Sequence, residues 1–204
     1  MWRFVLRENI RRLRALMAQE QSGAERQKLS QFLKEAEAEL ADIERVSTPP
    51  VARSDAALES LAGRAVHDAM KLSGAQFGSL QIYDKARAQL MILAQRNFRA
   101  PFLHSLALMK PGDGSACGRC LAAGASAAVA DVNTDPAFEP HREAAREAGF
   151  RAVHASPVRD AGGTLMAVLS TYYSAPRSFS DDDLYRMDFY ADSISLGLER
   201  HLRR

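Results

Sequence analysis

The pair Pro49-Pro50 divides this chain into two parts whose apolar residues follow different patterns. Before it, apolar residues recur every three or four positions, which is the period of an amphipathic helix. After it, short apolar runs alternate with helical stripes, as in domains that combine a sheet with helices. Because proline lacks a backbone donor and biases its predecessor away from helical torsions, a helix must stop at Ser47-Thr48-Pro49-Pro50. The sequence therefore predicts a domain boundary here, with a linker over residues 47–54.

The first part predicts two helices joined by a short turn. Their apolar stripes are formed by Leu6, Ile10, Leu13 and Leu16, and by Leu29, Phe32, Ala36, Leu40 and Ile43. Gln21-Ser22-Gly23 separates the stripes, and the Ser22 hydroxyl is placed to cap the second helix. We therefore expect residues 1–46 to form a helical hairpin. Two helices cannot enclose a core, so the stripes must meet each other, the next domain or a second chain.

The second part predicts an α+β domain with a central antiparallel sheet flanked by helices. The expected strands are residues 74–83, 89–95, 127–132, 152–158 and 164–173, and the expected helices are residues 55–72, 101–108, 140–148 and 181–202. Ser180 is placed to cap the last helix. That helix carries an apolar seam with 3/4 spacing, which is typical of helix–helix packing: Leu184, Met187, Ala191, Ile194 and Leu198.

Composition excludes several classes of protein. The 27 basic and 25 acidic residues leave a net charge of only +2, which does not favour nucleic acid or an anionic membrane as partner. No apolar run approaches the roughly 18 residues that span a bilayer. The charged N-terminal segment lacks the apolar stretch of a secretory signal. Two cysteines do not make a disulfide scaffold, so we expect a protein of the reducing cytoplasm.

Both cysteines, Cys117 and Cys120, lie in the stretch GDGSACGRCLAAG. A thioredoxin-like pair would follow a strand directly, and the glycine-rich entry here does not match. Structural zinc takes four ligands, and nothing in the spacing brings His104, His141 or His154 to the two thiols. A thiol at a helix N-terminus has a lowered pKa, which makes Cys117 a candidate for redox or ligand contact. We expect Cys120 mainly to pack, although it could serve as the second thiol of a redox pair.

The sequence contains no recognisable catalytic set. It has no G-x-S-x-G, no P-loop and no pair of histidines at i,i+4. We therefore predict neither catalytic residues nor a metal site.

Seven stretches of the second part occur in an order that resembles the GAF domain family, the small-molecule sensory module common in bacterial signalling proteins. They are GSLQIYD (Gly78–Asp84), LMILAQRNF (Leu90–Phe98), GDGSACG (Gly112–Gly118), VADVNTDPAFEPH (Val129–His141), AGFRAVHASPV (Ala148–Val158), GGTLMAVLST (Gly162–Thr171) and DLYRMDFYADSISLGLER (Asp183–Arg200). The combination resembles GAF domains attached to bacterial sensor kinases. The resemblance implies a GAF/PAS-like fold for residues 55–204, and the first 46 residues lie outside it.

The resemblance also implies a pocket on one face of the sheet, roofed by short helices. The residues it places at that pocket are Phe98, Phe102, Cys117, Asp135, Phe138, His141, Ser156 and Thr171. Tyr172 and Tyr173 must point to opposite faces, so only one of them can face the pocket. Gly112, Gly114 and Gly118 would let backbone amides approach a ligand.

The ligand is not identified by the sequence. The signature of the cyclic-nucleotide-binding members is absent, and neither cysteine is followed by the histidine usual in bilin-binding members, since Gly118 and Leu121 stand there. No cofactor is therefore assigned.

Three functions are consistent with these features. The first is a sensory module that binds a small molecule or responds to a redox signal and transmits through its terminal helices, as a homodimer or to a signalling-protein partner. The second is a thiol oxidoreductase resembling the free methionine-R-sulfoxide reductases, with Cys117 and Cys120 as its thiols. That family also depends on a cysteine in a later segment, and residues 121–204 contain none. The third is a structural interaction module whose pocket is filled by its own side chains.

Overall fold

The computed structural model describes residues 2–19, 22–46, 56–98, 102 and 109–202. They belong to two compact units, Met1–Asp55 and Ala56–Arg204. In the first unit, helices α1 (Trp2–Gln19) and α2 (Gly23–Val46) pack against each other, which confirms the predicted hairpin. Ile10 and Leu29 are buried. The predicted linker at residues 47–54 lies outside the described residues.

The second unit is built on a five-stranded sheet in which every pairing is antiparallel, as predicted. Its strands are β1 (Phe77–Asp84), β2 (Gln89–Arg96), β3 (Ala127–Val129), β4 (Ala152–Arg159) and β5 (Leu165–Tyr173). Their order is β2-β1-β5-β4-β3, so β5 is the middle strand.

Helices cover both faces of this sheet. They are α3 (Ala56–Ser73), α4 (Ala116–Ala123), a 3₁₀ helix (Pro136–His141), α5 (Arg142–Ala148) and α6 (Asp181–Leu202). Long helices α3 and α6 pack on one face, called here the α3/α6 face, where a Cβ on Gly78 would lie 2.8 Å from the Val66 side chain. The shorter helices lie over the other face, called here the α4 face. The chain thus places its short helices, which form the predicted pocket roof, on one side of the sheet.

Some predicted elements differ from the observed ones in extent. The helix predicted to begin at residue 140 is preceded by the 3₁₀ helix, because Asp135 accepts hydrogen bonds from the amides of Ala137 and Phe138 and starts the turn earlier. The strand predicted over residues 127–132 ends at Val129. Of the helix predicted over residues 101–108, only Phe102 is among the described residues.

Helix α6 begins where the sequence predicts and uses its apolar seam inside the domain. The Ser180 hydroxyl accepts a hydrogen bond from the Asp183 amide, and the Asp183 carboxylate accepts one from the Ser180 amide, a reciprocal capping arrangement. Met187, Ala191 and Leu198 are buried, and α6 packs on α3 and β4. These seam residues are therefore committed to the domain core, where two long helices close the α3/α6 face.

The glycines of the loop before α4 allow close packing between segments of the chain. Gly114 has φ +88°, and a Cβ there would lie 2.0 Å from the carbonyl oxygen of Ala137 in the 3₁₀ helix. A Cβ on Gly118 would lie 2.1 Å from the Asp113 carboxylate. Gly112 has φ +74° with open space around it. The backbone at Gly114 and Gly118 therefore lies close to other segments of the protein, whereas the sequence analysis predicts a close approach to a ligand.

We expect Leu198→Ala to lower the free energy of unfolding by about 2–5 kcal/mol, because it leaves a cavity at a fully buried position. Leu72→Ala is the matched control, since Leu72 is 60% exposed and should change stability by less than about 0.5 kcal/mol. Urea unfolding followed by circular dichroism measures both. Equal losses in the two variants would contradict the assignment of the seam to the core.

Gly114→Ala and Gly112→Ala form a second matched pair. Both substitutions place an alanine at positive φ, which costs about 1–2 kcal/mol. Only Gly114→Ala also drives a Cβ into a backbone carbonyl, so it should be less stable than Gly112→Ala by a further ~1–3 kcal/mol. The same urea measurement would disprove the close contact if both variants lost the same stability.

Candidate functional site

Four buried polar side chains meet on the α4 face; we call them the polar cluster. Cys117 Sγ lies 3.3 Å from Ser170 Oγ and 3.7 Å from the Tyr172 hydroxyl. The Tyr172 hydroxyl lies 3.2 Å from Ser79 Oγ. All four residues are at most 1% exposed. A chain of hydrogen-bonding groups thus links α4, β5 and β1 inside the domain.

The alternation of strand residues brings the members of the polar cluster to one face. Ser170 and Tyr172 are two positions apart on β5, so both point to the same side of the sheet. Ser79 on β1 is paired directly with Ser170, which places it on that side as well. Cys117 lies in the first turn of α4, whose N-cap is Ser115: its hydroxyl accepts a hydrogen bond of 2.9 Å from the Gly118 amide. The site is therefore assembled by three elements far apart in sequence.

Aromatic rings surround the polar cluster; we call Phe98, Phe102, Phe138 and Phe150 the aromatic shell. The Phe98 ring centroid lies 4.8 Å from that of Tyr172, and the Phe150 centroid 5.0 Å from it, both edge to face. Phe98 and Phe102 are 4.5 Å apart. All four phenylalanines are buried. The predicted residues Phe98, Phe102, Cys117 and Phe138 are thus brought together in one apolar core.

Both thiols are free and buried, and their acidity differs from the expectation for a helix terminus. Burial raises the pKa of the Cys117 thiol, and hydrogen bonds with Ser170 and Tyr172 lower it by less. Burial also raises the pKa of Cys120. The expectation of a lowered pKa is wrong, because the loss of hydration on burial outweighs the helix dipole. At neutral pH both groups are thiols, which are poor nucleophiles.

Asp135 lies at the edge of this site and is held by the chain itself. It caps the 3₁₀ helix, and its carboxylate accepts hydrogen bonds of 2.8 and 2.6 Å from the Arg119 guanidinium. These hydrogen bonds hold the pKa of the Asp135 carboxyl below its usual range. Arg119 also donates to the Gly114 carbonyl. Asp135 therefore ties α4 to the 3₁₀ helix.

His141 makes a similar contact between the same segments. Its Nε2 lies 2.8 Å from the carbonyl oxygen of Asp113, in the loop before α4. The Phe138 ring packs edge to face against it, with centroids 5.6 Å apart. The predicted residues Asp135 and His141 thus hold together the segments that cover the α4 face, and the hydrogen bonds described for them join those segments to one another.

Two predicted residues, Ser156 and Thr171, lie on the opposite side of the sheet from Cys117. Thr171 alternates with Ser170 and Tyr172, and its hydroxyl lies 3.3 Å from that of Tyr173. Ser156 is paired with Leu169, which alternates with Ser170 in the same way. The expectation that they lie at the α4 face is wrong. The resemblance predicts where the strands lie in the sheet, but it does not predict which residues of each strand point toward the short helices.

The sequence missed Ser79, Ser170, Phe150 and Arg119 as parts of this site. The sequence predicts that only one of the two adjacent tyrosines faces the pocket. The structure places Tyr172 on the α4 face. Tyr173 lies on the other face, against Phe179 and Arg177. The signal that could have found Ser170 is its position two residues before Tyr172. Strand pairing alone brings Ser79 into the site, and no local pattern marks it.

Two further findings bear on the chemistry of the chain. Among the residues that the structure describes, no group of three His, Cys, Asp or Glu side chains could hold a metal ion. None of the described helices is both long and apolar enough to cross a bilayer.

Several solved structures have a fold similar to that of this chain. A domain from Sinorhizobium meliloti ascribed to a two-component sensor histidine kinase shares 15% identity and a TM-score of 0.60, covering 73% of this chain and 93% of that one. The GAF domain of a Coxiella burnetii phosphoenolpyruvate-protein phosphotransferase shares 18% sequence identity with a TM-score of 0.59, and the match covers 71% of this chain and 84% of that one. The free methionine-R-sulfoxide reductase of Neisseria meningitidis, solved with its substrate, shares 16% sequence identity with a TM-score of 0.56. The match covers 74% of this chain and 95% of that one.

These identities establish likeness of fold alone. None of the curated proteins has a significant sequence match to the chain. The sequence profile described as GAF domain matches residues 55–199, well over half of the chain, and leaves α1 and α2 outside. The chain therefore belongs to the GAF domain family, whose members are mostly sensory modules, and residues 55–199 form its GAF domain.

Proposed function

We propose that the protein is a sensor that binds a small organic molecule on the α4 face, between β5 and α4. The observation that carries the proposal is the polar cluster, in which hydroxyl and thiol groups from three elements converge inside an aromatic shell. Binding sites for small molecules combine such an apolar lining with a few convergent polar groups.

The chemistry of the cluster favours an uncharged ligand. Burial raises the pKa values of both Cys117 and Tyr172, so all four side chains are neutral at physiological pH. Arg119, the basic residue of α4, is engaged by Asp135. A phosphate or carboxylate at the cluster would lose hydration without gaining a cation. A compound with a hydroxyl, carbonyl or amide group on an aromatic or aliphatic body would be matched.

The aromatic shell suggests how binding changes the domain. Phe98 and Phe102 pack against Tyr172 and follow β2 along the chain. In our proposal a ligand takes the place of one or both rings beside Tyr172 and moves them outward. The domain then has a self-filled and a ligand-filled state, and the ligand shifts the balance by binding only the second.

Hydrogen bonds at the C-terminal end of α4 and just beyond it offer a route for the signal. The Ser126 hydroxyl, two residues beyond the C-cap of α4, donates to the carboxylate of Asp188 on α6. Arg159 of β4 donates to the carbonyl of Gly124, the C-cap itself. A shift of α4 over the bound ligand would therefore act on α6, which we propose as the output helix.

The structure gives less support to the second candidate function, a thiol oxidoreductase. A catalytic thiol must ionise and be reached by substrate, whereas Cys117 and Cys120 are buried and have raised pKa values. We therefore propose that the cysteines serve the site as uncharged packing and hydrogen-bonding groups.

Ligand binding is tested with phenol, benzamide and indole as uncharged probes and cyclic AMP as a charged comparison. Thermal unfolding and native mass spectrometry measure binding. We expect at least one uncharged probe to raise the melting temperature, and Ser170→Ala or Tyr172→Phe to weaken its affinity about fivefold, through loss of a hydrogen bond of ~1 kcal/mol. The matched controls Thr171→Val and Tyr173→Phe change the adjacent residues on the α3/α6 face and should leave affinity unchanged.

Two results would oppose this proposal. Binding of cyclic AMP but of no uncharged probe would contradict the inferred ligand chemistry. Equal weakening by the α4-face and α3/α6-face variants would show that the ligand does not contact the polar cluster.

The state of the thiols is tested by labelling with iodoacetamide at pH 8. We expect the native protein to react at least tenfold more slowly than the urea-unfolded protein, because both thiols are buried and protonated. Rapid labelling of Cys117 in the native state, or turnover of free methionine sulfoxide, would instead support the oxidoreductase.

The same thiols make stability depend on alkaline pH. In the unfolded chain a thiol loses its proton near its ordinary pKa of 9.0, whereas the folded protein keeps it. Unfolding therefore releases protons above pH 9.0, and stability should fall there by up to about 1.4 kcal/mol per pH unit for each thiol. Urea titrations from pH 7 to 10 measure the slope. The Cys117→Ala/Cys120→Ala variant should show a smaller one, and an equal slope would assign it to other groups.

A further inference from the structure

The α3/α6 face holds a histidine that is buried inside the domain. His154 on β4 is only 1% exposed. It is paired directly with Thr171, so its imidazole points to the same side of the sheet as the Thr171 hydroxyl. The Nε2 atom of His154 is buried and has no hydrogen-bond partner among the residues that the structure describes. Most buried polar atoms are hydrogen-bonded, so an exception calls for an explanation.

The strand neighbours of His154 carry no charge. It is paired with Ala128 on β3 and with Thr171 on β5. The Thr171 hydroxyl lies 3.3 Å from that of Tyr173. Ser156, the next residue of β4 on the same side, also has a buried hydroxyl oxygen with no hydrogen-bond partner within the described part of the chain. A charge on the imidazole would therefore have to be neutralised from outside the sheet.

Charged groups act on the imidazole from α6 and from the segment before it. Asp188 and Asp183 of α6 favour its protonated form, and Arg177 opposes it. The Phe179 ring centroid lies 5.8 Å from that of the imidazole and 5.6 Å from the guanidinium carbon of Arg177. Loss of hydration on burial is the largest effect, and it lowers the pKa of His154 below the ordinary value of 6.5. The histidine is therefore neutral at physiological pH.

Both carboxylates of α6 already have hydrogen-bond partners. The Asp183 carboxylate accepts a hydrogen bond of 2.8 Å from Arg177 and one of 3.0 Å from the Ser180 amide. The Asp188 carboxylate accepts one from the Ser126 hydroxyl. These contacts fix the first half of α6 to the segment before it and to the segment beyond α4. A group that drew either carboxylate away would loosen this half of the helix.

A protonated His154 is such a group. A protonated imidazole donates from both of its nitrogens, whereas a neutral one donates from one. At His154 the Nε2 donor would lack an acceptor, and a buried charge without a partner is costly. A movement of α6 that brought a carboxylate to Nε2 would reduce this cost. Asp188 is the expected acceptor, because its charge acts on the imidazole more strongly than that of Asp183.

We propose that His154 is a proton-binding site that controls the packing of α6 on β4. At neutral pH the imidazole is uncharged, and Asp188 stays with Ser126. When the imidazole takes up a proton in mildly acidic solution, Asp188 leaves Ser126 for Nε2 and the first half of α6 loosens. The proposal concerns the α3/α6 face and does not depend on the ligand proposed for the α4 face.

Nuclear magnetic resonance of the histidine side chains tests proton binding by the folded wild-type protein. We expect sequentially assigned His154 to titrate below pH 6.5 and at lower pH than His67, which is exposed on α3. Asp188→Asn should move the titration of His154 to still lower pH. Asp192→Asn, the same change at an exposed position of α6, should leave it unchanged. Titration of His154 at or above pH 6.5, its neutrality down to the pH of acid unfolding, or equal shifts in the two variants would overturn the proposal.

Hydrogen exchange followed by mass spectrometry tests the response of α6. After correction for the intrinsic effect of pH, amides of residues 181–192 should exchange about fivefold faster below the titration point of His154 than at pH 7.5, as expected for the loss of a hydrogen bond of ~1 kcal/mol. His154→Gln should lose this response, and the control His67→Gln should keep it.

A second variant covers the case in which His154→Gln does not fold. In Asp188→Asn the faster exchange of α6 should begin only at the lower pH at which His154 of that variant titrates. Circular dichroism establishes which variants are folded. Exchange in α6 that did not change with pH, or that changed at the same pH in wild type and in the folded variants, would overturn the coupling between His154 and α6.

Discussion

The alternation of side chains along β5 divides the chemistry of this domain. The strand is in the middle of the sheet, so each of its faces is covered by helices. Ser170 and Tyr172 enter the polar cluster on the α4 face, whereas Thr171 and Tyr173 lie on the α3/α6 face. A shift of one residue in the pairing of β5 would exchange the two sets. The register with β1 and β4 therefore determines which hydroxyls can meet Cys117.

The cover of the α4 face is held in place by residues that, from the sequence alone, resemble those of a binding site. The aspartate and histidine of the DPAFEPH stretch are the polar residues that one would assign to a ligand. In the structure Asp135 pairs with Arg119, His141 reaches the Asp113 carbonyl, and Gly114 lets the 3₁₀ helix approach the loop. Each polar group is satisfied within the protein. These residues position the roof, and the buried hydroxyls beneath it form the candidate site.

The protonation state of the Cys117 thiol depends on two opposing effects of different size. Its position in the first turn of α4 stabilises a thiolate through the helix dipole, typically by 0.3–1 kcal/mol. Burial can shift a pKa by up to about 3–5 units, at about 1.4 kcal/mol per unit. The larger effect wins, and the thiol remains protonated. The same burial makes it a suitable hydrogen-bonding partner for Ser170 and Tyr172, because a neutral group costs less to keep in an apolar core.

The sequence by itself determined the α+β class, the antiparallel sheet, the N-terminal hairpin and the start of α6, because periodicity and turn residues are local. It also determined that Tyr172 and Tyr173 lie on opposite faces. Only the tertiary structure decided which face each took, since that depends on pairing with strands far away in the chain. The same reason explains why Ser156 and Thr171 were placed on the wrong side and Ser79 was missed. The acidity of Cys117 was likewise decided by burial, which no pattern around GDGSACG encodes.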